Sequence, residues 1–205
     1  MIDWPQLTLF LFVTARMSGL ILFSPIFGRA NITTSFRSGM TLVLSIFVTS
    51  VSEQQPAEPS GVMEFMILMV LEMAIGFVLG MAVNFFFYIP SLAGSMIDTQ
   101  MGMTMNQMYD PGTSANMSVT GQILNALMTL LFFAAGGHLT LLRIFLTSGE
   151  LVPYGQVSIG LPAYHLLLEL FVECTVLGIK LSMPILAAAL IAQVGMGVLM
   201  KVIPQ

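Results

Sequence analysis

The chain has 205 residues, of which 57% are hydrophobic and only 8% charged, and its formal net charge is −4. Soluble globular proteins carry roughly one-quarter charged residues, so a mean hydropathy of +0.93 places this chain in lipid or inside a large apolar assembly. Its ten acids and six bases form no run of either sign, which excludes a nucleic-acid footprint.

Asp3 precedes the first apolar stretch without any cation, the reverse of a secretory signal's basic leader, so that stretch is expected to be retained. Apolar segments follow at residues 7–27, 40–51, 62–92, 123–146 and 166–203. Crossing a bilayer takes about 20 apolar residues, a length that the first and fourth meet. The second falls short of a span unless Ser38 and Gly39 lead into it. The third and fifth are too long for one upright helix, at about 1.5 Å per residue against about 30 Å of hydrocarbon, and must tilt, bend or protrude. Pro90 is expected to end the third, and Pro184 to kink the fifth between Lys180 and Pro184. The chain therefore reads as all-α, one domain over residues 1–205 made of long, kinked hydrophobic helices. Arg29 and Arg37 in the first connection, against Glu53 and Glu58 in the second, put the N-terminus outside and Lys201 in the cytoplasm if all five segments cross.

The connection over residues 93–122 is rich in methionine and glycine and lacks Lys and Arg, with methionines at 96, 101, 103, 105, 108 and 117. Methionine is unbranched and adaptable, suited to irregular apolar surfaces. By residues alone this stretch fits either a gap between helices or a connection resting on lipid.

Charges inside apolar segments are costly and mark interior contacts: Arg16, Glu72, Arg143, Glu169, Glu173 and Lys180. Glu169 and Glu173 share a helix face, with Lys180 seven positions on, as for an ion pair at an interface or a proton relay. Gly76 and Gly80 form a G-x-x-x-G pair that lets another helix backbone come close. Cys174 is alone, and His138 and His165 lack partners at ligand spacing, so neither a disulfide framework nor a metal site nor any cofactor is indicated. Gly94-Ser95-Met96 is not a nucleophile elbow, and no phosphate-cradling glycine loop is present. The triplets Asn31-Ile32-Thr33 and Asn116-Met117-Ser118 match a glycosylation pattern too common to carry weight.

Two stretches tip the balance. Ala15-Arg16-Met17-Ser18-Gly19 running on to Pro25-Ile26-Phe27-Gly28, and the block Gly94-Ser95-Met96-Ile97-Asp98-Thr99-Gln100-Met101-Gly102 followed by Asp110-Pro111, resemble the FliR family and its injectisome counterparts called SctT. The resemblance implies a non-enzymatic subunit of the type III export gate, flagellar rather than injectisome by the wording of the second block. FliP-like and FliQ-like subunits would form a ring with it around the export channel, an FlhB-like platform protein would sit nearby, and unfolded export substrates and membrane lipid would be its other contacts. It implies a place in the bacterial inner membrane at the flagellar basal body, with the assembled gate largely raised toward the periplasm, which argues against the simple alternating topology above.

In that family the connection projects into the channel as a plug, which would put Met101, Met103, Met105, Met108, Asp110 and Pro111 at the seal. Arg16, Glu72, Asp98, Glu169, Glu173 and Lys180 would be charges buried against neighbouring subunits. Members continue past the position of Gln205 with a further hydrophobic helix, so contacts of that helix with FliQ-like or FlhB-like partners are not carried over to this chain. The competing class is a proton-coupled or small-solute transporter using Glu72, Asp98, Glu169 and Glu173, for which internal repeats would be expected. No similarity between the halves supports it. An inert scaffold would explain the helices but not the methionines.

Overall fold

The computed structural model describes residues 4–25, 27, 32–52, 59, 61–103, 108–110, 115–156 and 161–202. The chain is built of α1 (Trp4–Phe23), α2 (Thr34–Val51), α3 (Val62–Gln100), a small hairpin of β1 (Met108–Asp110) and β2 (Ala115–Met117), α4 (Val119–Ala134), α5 (Gly137–Leu151) and α6 (Leu161–Val202). The helical class stands, with the hairpin as its one departure. Among the described residues four helices are long and apolar enough to cross a membrane, or five if α4 and α5 count as one broken span.

The elements differ from the sequence reading in ways that follow from backbone hydrogen bonding. Pro90 lies inside α3 and does not end it, and Pro184 lies inside α6. A proline interior to a helix costs about 3 kcal/mol, but without water to receive them, the backbone groups freed by stopping the helix there would cost several kcal/mol each. The second apolar segment gains a full length of 18 residues because Thr34 to Gly39 join it. Four of its hydroxyls turn back onto the preceding turn: Ser38 Oγ, Thr41 Oγ1, Ser45 Oγ and Thr49 Oγ1 donate to the carbonyls of Thr34, Arg37, Thr41 and Ser45 at 2.7–3.0 Å, so these donors are met within the helix.

The fourth segment, expected to be continuous, is broken. Gly136 takes a left-handed φ of 72°, and α4 and α5 meet at a bend of 66°. The methionine-rich connection is also shorter than residues 93–122: α3 runs to Gln100 and α4 begins at Val119.

Two compact units account for the packing, one of residues 1–84 and 132–170, the other of residues 85–131 and 171–205. The first has a continuous apolar core in which Leu9, Phe12, Val13, Met17, Leu20 and Ile21 of α1 meet Leu44 and Val48 of α2, Leu141 and Phe145 of α5, and Tyr154. Fully burying such side chains contributes about 1.5–3 kcal/mol each. The second unit buries fewer, among them Phe87, Ala93, Ile97 and Cys174. Phe85 and Phe171 stack edge to face there, and a Cβ at Gly178 would lie 2.9 Å from Leu92. Residues 190–202 of α6 are exposed on every side.

Candidate functional site

Gly76 and Gly80 sit on α3 where α1 crosses it. A Cβ at Gly76 would run into the Arg16 carbonyl oxygen, and one at Gly80 would lie 3.0 Å from that of Leu20. Gly19, on the α1 side, would in turn meet the Met73 carbonyl and come within 3.1 Å of the Phe77 nitrogen. Small residues thus line both sides of this crossing, so the two backbones touch. Gly19 was legible within the quoted A-R-x-x-G stretch, but nothing in the sequence names its partner.

That approach seats two charges. Arg16 and Glu72 are fully buried and paired, Nη2 lying 2.7 Å from Glu72 Oε2 and Nε donating to the same oxygen at 2.7 Å. Nη1 donates to the carbonyls of Ser148 and Val152, both at 3.0 Å. These belong to the last turn and cap of α5, where Ser148 O also accepts the Val152 N–H at 3.0 Å and a cation is favoured. The other carboxylate oxygen of Glu72 accepts the Gly155 N–H at 2.8 Å, and the guanidinium lies 4.2 Å from the ring centre of Tyr154. Gly155 has a φ of 79°, a conformation that suits glycine.

One buried ion pair thereby fastens the turn after α5 to α1 and α3. Burial pushes the Tyr154 phenol above its ordinary 10.0, with the Arg16 guanidinium opposing. Ser148, Tyr154 and Gly155 were invisible in the sequence because they lie far along the chain from Arg16 and Glu72.

In the second unit Asp98, only 2% exposed, stands near the end of α3. Its carboxylate accepts the Thr120 backbone N–H at 3.2 Å and, through the other oxygen, the Thr120 hydroxyl. Beside it Gly94 and Gly121 make a second backbone approach: a Cβ on Gly94 would strike Gly121 and lie 2.9 Å from the Thr120 carbonyl carbon. Ser118 Oγ accepts the Gly121 N–H at 3.0 Å and so caps α4.

Beyond this root lies the methionine-rich connection. Met101 is exposed and Met103 half-buried. The hairpin pairs Met108 with Met117, Tyr109 with Asn116 and Asp110 with Ala115, and Tyr109 is exposed. Met105 and Pro111 fall outside the described residues, as do the side chains of Met108 and Asp110.

The six charges expected at subunit interfaces divide. Arg16, Glu72 and Asp98 are buried within this chain, against its own groups, whereas Glu169, Glu173 and Lys180 are exposed on α6. Arg143 is exposed as well. For the first three the physical reason is that an intrachain partner stands in reach, which sequence distance concealed.

A family model described as bacterial export proteins, family 1, matches residues 7–205. The flagellar biosynthetic protein FliR of Escherichia coli (strain K12) is 26% identical over 201 residues, covering 97% of this chain and 76% of that protein. The surface presentation of antigens protein SpaR of Shigella flexneri is 28% identical over 193 residues, covering 93% and 73%. The Yop proteins translocation protein T of Yersinia pestis is 24% identical over 170 residues, covering 82% and 65%. A flagellar biosynthetic protein, a translocation protein and a surface presentation protein are thus each similar to this sequence along most of its length. Taken with the family model's span, this means that the chain belongs to the bacterial export proteins of family 1, the FliR and SctT family.

Proposed function

We propose that the chain is a non-catalytic subunit of a type III export gate in the bacterial inner membrane, assembling with FliP-like and FliQ-like subunits around a protein-conducting channel. In this reading Met101, Met103, Met105 and Met108 form the seal at rest, beside Asp110 and Pro111. The observation that carries it is a methionine-rich segment held between the close-packed ends of α3 and α4 in a chain of the export family. Flexible thioethers can close against ions and repack around varied passing substrates. The exposed Glu169, Glu173 and Lys180 would face neighbouring subunits, an FlhB-like platform protein would sit nearby, and the assembled gate would stand largely raised toward the periplasm. The flagellar form of the gate is favoured by the wording of the block from Gly94 to Gly102.

No observation favours the transporter reading. Glu72 is engaged by Arg16 and the Gly155 N–H, and Asp98 by Thr120. Deleting residues 103–108 should make resting membranes permeable to small ions while the gate still assembles. An assembled gate with unchanged permeability would sink the plug reading.

A further inference from the structure

The two helices that flank the methionine-rich connection end and begin on the same residue. Gly102, with a φ of 73°, donates its N–H to Thr99 O at 3.2 Å, and Met103 donates to Asp98 O at 2.8 Å. This is the double hydrogen bond of a helix stop closed by a left-handed glycine, and Asp98 supplies the carbonyl for the bond that spans more residues, from Met103. The side chain of the same Asp98 crosses to α4, taking the N–H and the hydroxyl of Thr120. Thr120 lies two residues past the Ser118 cap, where N–H groups have no helical acceptor and negative charge is favoured. Asp98 therefore serves the stop of α3 through its backbone and the start of α4 through its carboxylate. Gly94 and Gly121 remove the side-chain bulk that would hold the two backbones apart.

The structure assigns Asp98, with Thr120, as the tie that fixes both roots of the connection over residues 101–118. We propose that this tie positions the plug, so that its loss loosens the seal without dismantling the fold. The proposal rests on the plug reading of that connection. A carboxylate that is buried and met by a neutral hydroxyl and one N–H, with no cation found on it among the described residues, holds by directed hydrogen bonds. A hydrogen bond to a charged group contributes enough to change an opening equilibrium by roughly tenfold or more.

The test uses the full chain in assembled gates, with ion leak of resting vesicles as the readout and co-purification as the measure of assembly. Asp98→Ala and Thr120→Val should each raise the leak roughly tenfold or more at unchanged assembly, whereas Thr120→Ser, which keeps the hydroxyl, should stay tight. An Asp98→Cys, Thr120→Cys pair in a Cys174→Ala chain should leak when reduced and reseal on oxidation, a rescue that mere loss of stability would not give. Assembled and tight Asp98→Ala and Thr120→Val gates would overturn the proposal. Failure of both variants to assemble would overturn it too, by making the pair a folding element. The deletion of residues 103–108 separates the two ideas: if the deletion leaks and these variants do not, only the tie is wrong, and if the deletion is tight, the plug reading itself fails.

Discussion

Around Glu72 and around Asp98 the chain uses the same parts. Each carboxylate is buried, each accepts a backbone N–H from a segment distant in sequence, and each stands beside glycines that let two backbones touch. The surroundings differ. Glu72 faces a guanidinium, in a unit whose apolar core draws on α1, α2 and α5. Among the described residues Asp98 is met by Thr120, a neutral partner, in a unit that buries few of its apolar side chains. A buried ion pair sets geometry more than it adds stability, yet removing one partner leaves an uncompensated charge. The first site is therefore a fixed joint, and the second is a fastening that a modest change can loosen.

The strongest way to break this comparison is Glu72→Ala, which strands Arg16 and should cost about 3–5 kcal/mol. Denaturant unfolding of the detergent-solubilised chain would measure it, and a loss near zero would show that Arg16 finds another partner. Next come the helix approaches. Gly76→Ala should cost about 1–3 kcal/mol, and Gly80→Ala less, since its Cβ would stand 3.0 Å from the nearest atom. Gly39→Ala, with nothing within 4 Å, should instead stabilise α2 by up to about 1 kcal/mol through helix propensity. If these three variants melted alike, the glycines would not be packing contacts.

The smallest effect concerns alkaline pH. Because the folded state holds the Tyr154 proton above the ordinary 10.0, its contribution is fully present below that pH and is lost as pH rises through the folded value. Wild-type melts should fall more steeply above pH 10.0 than those of Tyr154→Phe. Parallel slopes would remove Tyr154 from the joint.

What the sequence disclosed follows from the range of the signals involved. Helical class, the costly charges and the small-residue pair on α3 are local patterns, readable within a turn or two. The family block carried the reading of the methionine-rich segment as a plug, which residue composition had left open. Its boundary was misplaced because Gly94, Ser95 and Asp98 look like connection by composition, while lipid-like surroundings favour completing the helix to the glycine that can turn left-handed, Gly102. Partners lay beyond reach for another reason: Glu72 is 56 positions from Arg16, and Ser148 is 132 away, and no periodicity spans such gaps. The exposed state of Glu169, Glu173 and Lys180 could not be read either, since an apolar helix looks the same whether its face meets its own chain or another surface.

Residues 190–202 of α6 lie exposed on all sides. This stretch is apolar around most of its circumference, with Gln193, which exchanges hydrogen bonds with Gln100 of α3 at 3.4 and 3.5 Å, marking one flank. The remaining flanks of this tail therefore take their contacts from whatever surrounds the chain.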